Sequence, residues 1–162
     1  EMANPDNAKN TYSAGPEGAI KMVSGNSVST LYKPVHANVK ERPVLTWRWR
    51  LTKAATGNEP LAAVYASLDT DLLFIPVFTK YVWSESKPDG TVTEGGMFSG
   101  SEIVVQTGTK EIGQWFEERV NVYEDFKRIH KHEPAEKAWG ISIIAAPGVE
   151  IDFGPLIAAP AK

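Results

Sequence analysis

Residues 45–51 constrain the fold of this chain more than any other stretch, because their apolar and polar side chains alternate strictly. Trp47 and Trp49 share one parity, and Arg48 and Arg50 share the other. Side chains along a β-strand point alternately to opposite faces, whereas a helix would distribute the tryptophans around its axis. The stretch therefore predicts a half-buried strand with tryptophans inside and arginines outside.

Similar short runs, separated by turn residues such as those of Lys87-Pro88-Asp89-Gly90, recur along the chain. We predict strands at 19–23, 28–32, 45–51, 62–68, 72–83, 102–107, 115–123, 139–145 and 151–157, and one helix at 123–131. This pattern predicts an all-β fold, a two-sheet antiparallel sandwich of jelly-roll type with one short helix. A closed barrel is the alternative.

Size and composition limit the class of protein. The 162 residues suit one domain, for which we predict a loose N-terminal segment at 1–14, a β-sandwich at 15–157 and a C-terminal tail at 158–162. A net charge of −3 argues against a dedicated nucleic-acid binder. No apolar run approaches the ~20 residues of a transmembrane helix. The absence of cysteine excludes disulfides and thiolate metal sites.

The histidines and acidic residues do not predict a metal site. His130 and His132 are two residues apart, so on a helix their side chains point about 200° away from each other. Asp69-Thr70-Asp71 resembles the start of a calcium loop but lacks its glycine and distal glutamate. We predict no metal and no cofactor. A b-type haem held by Met97 is a weaker alternative, because methionine serves as an axial ligand.

Carboxylates and exposed aromatics provide the alternative of a carbohydrate-binding or carbohydrate-processing site. Glu117 and Glu118 are acidic neighbours, but on a strand they face opposite sides and do not form an acid/base pair. Among the five tryptophans, Trp83 and Trp115 are the candidates for an exposed carbohydrate platform. Burial of these tryptophans would argue against that platform.

Several motifs together carry a family resemblance. They are Pro-x-Leu-x-Trp-Arg-Trp-Arg from Pro43, Tyr-Val-Trp from Tyr81, Gly-x-Trp from Gly113, and Arg-x-Asn-Val-Tyr-x-Asp-Phe from Arg119. In this order they resemble a bacterial exported family known only as domain of unknown function 3047, over residues 20–157. The resemblance implies a carbohydrate-binding-like sandwich, of which this chain is a divergent member. Where the family pattern has an arginine and aspartates, this chain has Ala62-Ala63 and Ala145-Ala146-Pro147.

The loss of those polar residues favours a structural role. We therefore predict that the chain is not an enzyme but an exported accessory or structural subunit of a larger membrane or envelope complex. Its partners would be protein subunits, with no nucleic acid and no transmembrane segment of its own. The polar residues 1–13 predict a periplasmic or extracellular location after removal of a signal peptide.

The predicted partner-binding residues are Arg48, Arg50, Gly95, Gly96, Met97 and Phe98. On this hypothesis, replacing both arginines by glutamate leaves folding intact. The alternative is a carbohydrate-binding module using exposed aromatics.

Overall fold

A computed structural model gives the fold of the chain and describes residues 10–70, 76–93, 100–134 and 139–161. In chain order its strands are β1 (Thr11–Ala14), β2 (Ile20–Val23), β3 (Ser29–Val35), β4 (Val44–Lys53), β5 (Ala62–Thr70), β6 (Pro76–Ser84), β7 (Val92–Thr93), β8 (Ser101–Thr107), β9 (Trp115–Asn121), β10 (Trp139–Ala145), β11 (Glu150–Phe153) and β12 (Ile157–Ala159). A 3₁₀ turn spans Pro16–Gly18, and helix α1 spans Val122–His130.

The strands form two six-stranded sheets. In sheet A the order is β1-β2-β11-β4, with β9 on the far edge of β4 and β12 on the same edge as β11. In sheet B the order is β3-β10-β5-β6-β8-β7. The prediction of a two-sheet jelly roll with one short helix is confirmed. One pair departs from the antiparallel pattern, since β6 and β8 run parallel.

The core lies between the sheets and is built around aromatic rings. Trp47 and Trp49 are buried on the inner face of β4, as their parity predicts. Their rings make an edge-to-face contact with centroids 5.5 Å apart. From the opposite sheet Trp83 packs on Trp49 at 5.3 Å, and Phe153 of sheet A does so at 5.9 Å. Such contacts add to the burial of large apolar surfaces.

Helix α1 closes one end of the sandwich. The side chain of Asn121 accepts a hydrogen bond from the backbone N–H of Glu124 at 2.9 Å, which caps the first turn. Phe126 is buried against the core, and the buried Tyr81 hydroxyl donates to Asp125 at 2.8 Å. The helix is therefore anchored by apolar residues, among them Val122 and Phe126, and by the hydrogen bond to Asp125. Among the described residues, no helix combines the length and apolar character needed to cross a membrane.

Both predicted chain ends contribute residues to sheet A. Thr11–Ala14 pairs with β2, and Ile157–Ala159 pairs with β4. The ordered strands thus extend beyond the predicted limits of 15–157 at both ends. The division of the chain into one domain with loose ends otherwise stays a prediction.

Candidate functional site

A row of aligned side chains crosses the outer face of sheet B. Strand register places Tyr32 opposite Ser142, Ser142 opposite Tyr65, Tyr65 opposite Lys80, and Lys80 opposite Glu102. We call these five residues the outer row. Because neighbouring strands lie about 4.8 Å apart, the row is about 19 Å long. It places two phenols, a hydroxyl, an ammonium and a carboxylate side by side, and the residue that carries the hydroxyl, Ser142, is buried.

Tyr32 lies at one end of the outer row with its ring against the backbone. A Cβ atom added to Gly140 would lie 2.3 Å from the ring, so only glycine allows this close approach. Tyr32 is nevertheless 63% exposed. The ring atoms nearest the hydroxyl therefore rest on Gly140, while most of the side chain faces solvent.

Tyr65 lies at the centre of the outer row and is half-buried. Its ring packs against that of Phe78 with centroids 5.5 Å apart, and the Nζ atom of Lys80 lies 5.0 Å from its centroid. Burial raises the pKa of the Tyr65 hydroxyl, and the Glu102 carboxylate raises it further. The hydroxyl therefore remains protonated at neutral pH and is available as a hydrogen-bond donor.

A small apolar cluster adjoins the outer row on the same face. Ala63, Val82 and Val104 are buried there, with Tyr65 and Ile144 packed against them. Aromatic and apolar surface beside a few fixed polar groups is the usual composition of a small-molecule or oligosaccharide site. On the outer face of sheet B the exposed aromatic surface comes mainly from Tyr32, because Ala63, Val82 and Val104 are at most 2% exposed and support the ring of Tyr65.

The predicted platform of Trp83 and Trp115 is not found. Trp83 is 2% exposed, because it shares the inner parity of Tyr81 on β6, and its Nε1 donates to the carbonyl of Gly108 at 2.9 Å. Trp115 is half-buried on the outer face of sheet A. The guanidinium carbons of Arg48 and Arg50 lie 4.5 and 4.7 Å from its ring centroid, so its ring is covered by arginines.

Arg48 and Arg50 lie on the outer face as predicted, and each is paired within the chain. Arg48 bonds the exposed Glu17, whereas Arg50 bonds Oδ2 of the buried Asp152 through Nε at 3.1 Å and Nη2 at 2.7 Å. A partner-binding role for them stays a prediction. The other predicted contact residues lie outside the described residues; they are Gly95, Gly96, Met97 and Phe98. Met97 is also the ligand of the alternative haem site, so that alternative is not tested either.

Glu118 is a partly buried carboxyl group of sheet A, away from the outer row. It lies on the inner face of β9 opposite Trp47, whereas Glu117 faces solvent, so the two do not form a pair. Burial raises the pKa of the Glu118 carboxyl to about 7, although Trp49 Nε1 donates to it at 3.4 Å. Asp89 adds a smaller effect in the same direction as burial.

This raised pKa predicts a pH-dependent effect of Glu118→Gln. Between the ordinary pKa of 4.5 and the folded value of about 7, the folded state binds more protons than the unfolded state. Stability contributed by this group is therefore present below pH 4.5 and is lost as the pH rises through 7. We expect the variant to come close to the wild type at pH 5, where most of this contribution is still present. At pH 8 it should be more stable, by on the order of 1 kcal/mol after solvent screening.

Urea denaturation at both pH values measures this effect as a difference in midpoint. Glu117→Gln, on the exposed face of the same strand, is the control and should give no such difference between the two pH values. An equal change of midpoint at pH 5 and pH 8 for Glu118→Gln would rule out the proposed burial of charge.

Within the described part of the chain, no group of three or more histidine or acidic side chains is arranged to hold a metal ion.

The prediction of a family resemblance is tested by comparison with known families. Residues 77–146 match the family model for a protein of unknown function, DUF3047. The predicted resemblance is thereby confirmed over those residues, which run from β6 to the turn after β10. No curated protein matches the sequence.

Among the solved structures with a similar fold are glycoside hydrolases. The xyloglucanase domain of NopAA from Sinorhizobium fredii, in complex with cellobiose, matches with a TM-score of 0.52 at 8% identity, covering 97% of this chain and 90% of that one. A family 12 xyloglucanase from Bacillus licheniformis matches with 0.52 at 9% identity, covering 93% and 85%. Endoglucanase cel12A from Rhodothermus marinus matches with 0.50 at 12% identity, covering 96% and 88%. At these identities the matches show a shared fold.

These matches correct two predictions from the sequence. The prediction of a non-catalytic accessory subunit of a membrane or envelope complex is wrong, since the matching structures are carbohydrate-active proteins. The prediction that the chain is not an enzyme is contradicted by the same structures. The alternative of a carbohydrate-binding module agrees better with them.

Proposed function

We propose that this protein binds a β-1,4-linked glucan chain along the outer row of sheet B. The observation that carries the proposal is the alignment of Tyr32, Ser142, Tyr65, Lys80 and Glu102 in one register across five strands. The shared fold adds support, because one matching structure is in complex with cellobiose and another is an endo-1,4-β-glucanase.

The side chains of the outer row suit the two kinds of surface that a sugar ring presents. Phenol rings pack on the C–H faces of sugars, and Tyr32, the most exposed ring of the outer row, supplies such a ring. The ammonium of Lys80 and the carboxylate of Glu102 supply donors and acceptors for sugar hydroxyls. The formal charges of Lys80 and Glu102 cancel, which favours a neutral glycan.

Hydrolysis is a separate question from binding. Most glycoside hydrolases use two carboxyl groups that flank the scissile bond. The outer row itself contains one carboxylate, Glu102, so the geometry of the row supports binding directly. Release of reducing ends from xyloglucan and cellohexaose should be measured in the same samples. If sugar is released, Glu102→Gln tests whether this carboxylate takes part.

Tyr32→Ala should weaken binding of cellohexaose by about fivefold to tenfold, which corresponds to the worth of one aromatic contact. The reason is that Tyr32 is the most exposed ring of the outer row and is not needed for the core. Isothermal titration calorimetry of wild type and variant measures the effect.

Tyr123→Ala is the matched control, because Tyr123 lies on helix α1 outside the row. Its affinity should equal that of the wild type. Loss of affinity in both variants, or in neither, would contradict the assignment of the ligand to the outer row.

A further inference from the structure

A groove of about 660 Å³ opens between the two sheets along the free edge of β3. Consecutive residues 31–36 of both parities line it, so it follows the edge of the strand rather than one of its faces. Its floor is apolar and includes Ile143, Phe153 and Leu156. We call it the edge groove. Its volume lies within the range of pockets that hold small ligands.

The strands that border the edge groove are poorly suited to receive a further peptide strand. On β3, the Tyr12 hydroxyl bonds the backbone N–H of Thr30 at 3.3 Å and its carbonyl at 3.5 Å, and Pro34 has no N–H. On β12, Arg42 Nη1 donates to the carbonyl of Ala158 at 3.4 Å. Side chains and a proline therefore already block much of both edges. An occupant that needs no backbone hydrogen bonds fits the groove better.

The charge among the residues that line the edge groove is positive. Among its lining residues, Lys33 is a cation, and no lining residue is acidic. Lys33 is exposed and forms no ion pair with any residue that the structure describes. The rim therefore favours an anionic group, and the floor favours a hydrocarbon chain.

We propose that the edge groove binds a fatty acid, with its hydrocarbon chain on the apolar floor and its carboxylate beside Lys33. This site goes beyond the proposed function and does not depend on it. The outer row and the edge groove share only Tyr32, at the end of the row. Binding of one ligand class therefore does not imply binding of the other.

Titration of the whole protein with octanoate and decanoate, below their micellar concentrations, tests the hydrocarbon site. Affinity should rise by about fourfold per methylene, as expected for CH₂ groups that leave water. Ala158→Phe, which fills part of the groove, should reduce decanoate affinity by tenfold or more. No binding, or equal affinities of the two acids, would overturn the proposal.

Charge preference tests the assignment to Lys33. Decyltrimethylammonium has the same chain with the opposite charge and should bind the wild type at least fivefold more weakly than decanoate. Lys33→Glu is an exposed substitution that should spare folding and reverse this preference. Lys110→Glu, in an exposed loop away from the groove, should leave it unchanged. The same preference in Lys33→Glu as in the wild type would overturn the proposed site.

Discussion

Trp49→Ala is expected to lower the free energy of unfolding by about 3–5 kcal/mol. Trp49 is 0% exposed and its ring contacts three other aromatic rings, at centroid distances of 5.5 Å to Trp47, 5.3 Å to Trp83 and 5.9 Å to Phe153. Truncation removes the transfer free energy of the indole and leaves a cavity between two sheets that are held apart by the remaining rings. It also deprives Glu118 of its hydrogen bond from Nε1.

Urea denaturation followed by far-UV circular dichroism measures this loss. Trp115→Ala is the matched control, since Trp115 is also a tryptophan of sheet A but lies on the outer face beneath two arginines. Its loss should be about 1 kcal/mol, because the ring leaves no internal cavity. A larger loss for Trp115→Ala than for Trp49→Ala would mean that β4 and β9 present the opposite faces to the core, and equal losses would contradict the burial of Trp49.

The face assignment of β4 could be predicted because it depends on local information alone. A two-residue period within residues 45–51 separates tryptophans from arginines, whatever strand lies alongside. The helix could be predicted for a similar reason, since Phe126 and its neighbours recur at helical spacing. Strand pairing is different in kind. Nothing local indicates that β6 and β8 run parallel, because that pairing joins segments distant in the chain.

Trp83 shows how a weak two-residue period can be overlooked. The run at 72–83 is apolar at both parities over most of its length, and the structure buries Tyr81 and Trp83 on the inner face and Val82 on the outer face. Lys80 is the one charged residue of the run, and it shares the outer parity of Val82, which places Trp83 on the inner face. The prediction of a Trp83 platform therefore disregards the parity of Lys80.

The outer row was missed for a related reason. The inward pattern of Val64, Ala66 and Leu68 places Tyr65 on the outer face, but its neighbours in space depend on register. The replacement of polar residues at 62–63 predicts the loss of a site. In the structure, Ala63 belongs to the apolar cluster that adjoins Tyr65. Small side chains there are compatible with a binding face and do not indicate its absence.

Arg50→Met is expected to lower the free energy of unfolding by about 3–5 kcal/mol, because it leaves the Asp152 carboxylate without its cation. Asp152 is 1% exposed, and its Oδ2 accepts both hydrogen bonds from Arg50. The sequence treats Arg48 and Arg50 as equivalent outward cations that can both be replaced without harm to folding. The structure separates them, since the carboxylate that Arg48 bonds, on Glu17, is exposed.

Comparison of Arg50→Met with Arg48→Met in urea denaturation tests this difference. Loss of an ion pair with a solvated carboxylate costs little, because water replaces the arginine, so Arg48→Met should be far less destabilising. The double variant Arg50→Met with Asp152→Leu should recover much of the lost stability, since an apolar pair of similar volume removes the buried charge. Equal effects of the two single variants would contradict the buried pair. Failure of the double variant to recover would place the cost in packing of the Arg50 stem on Trp115 instead.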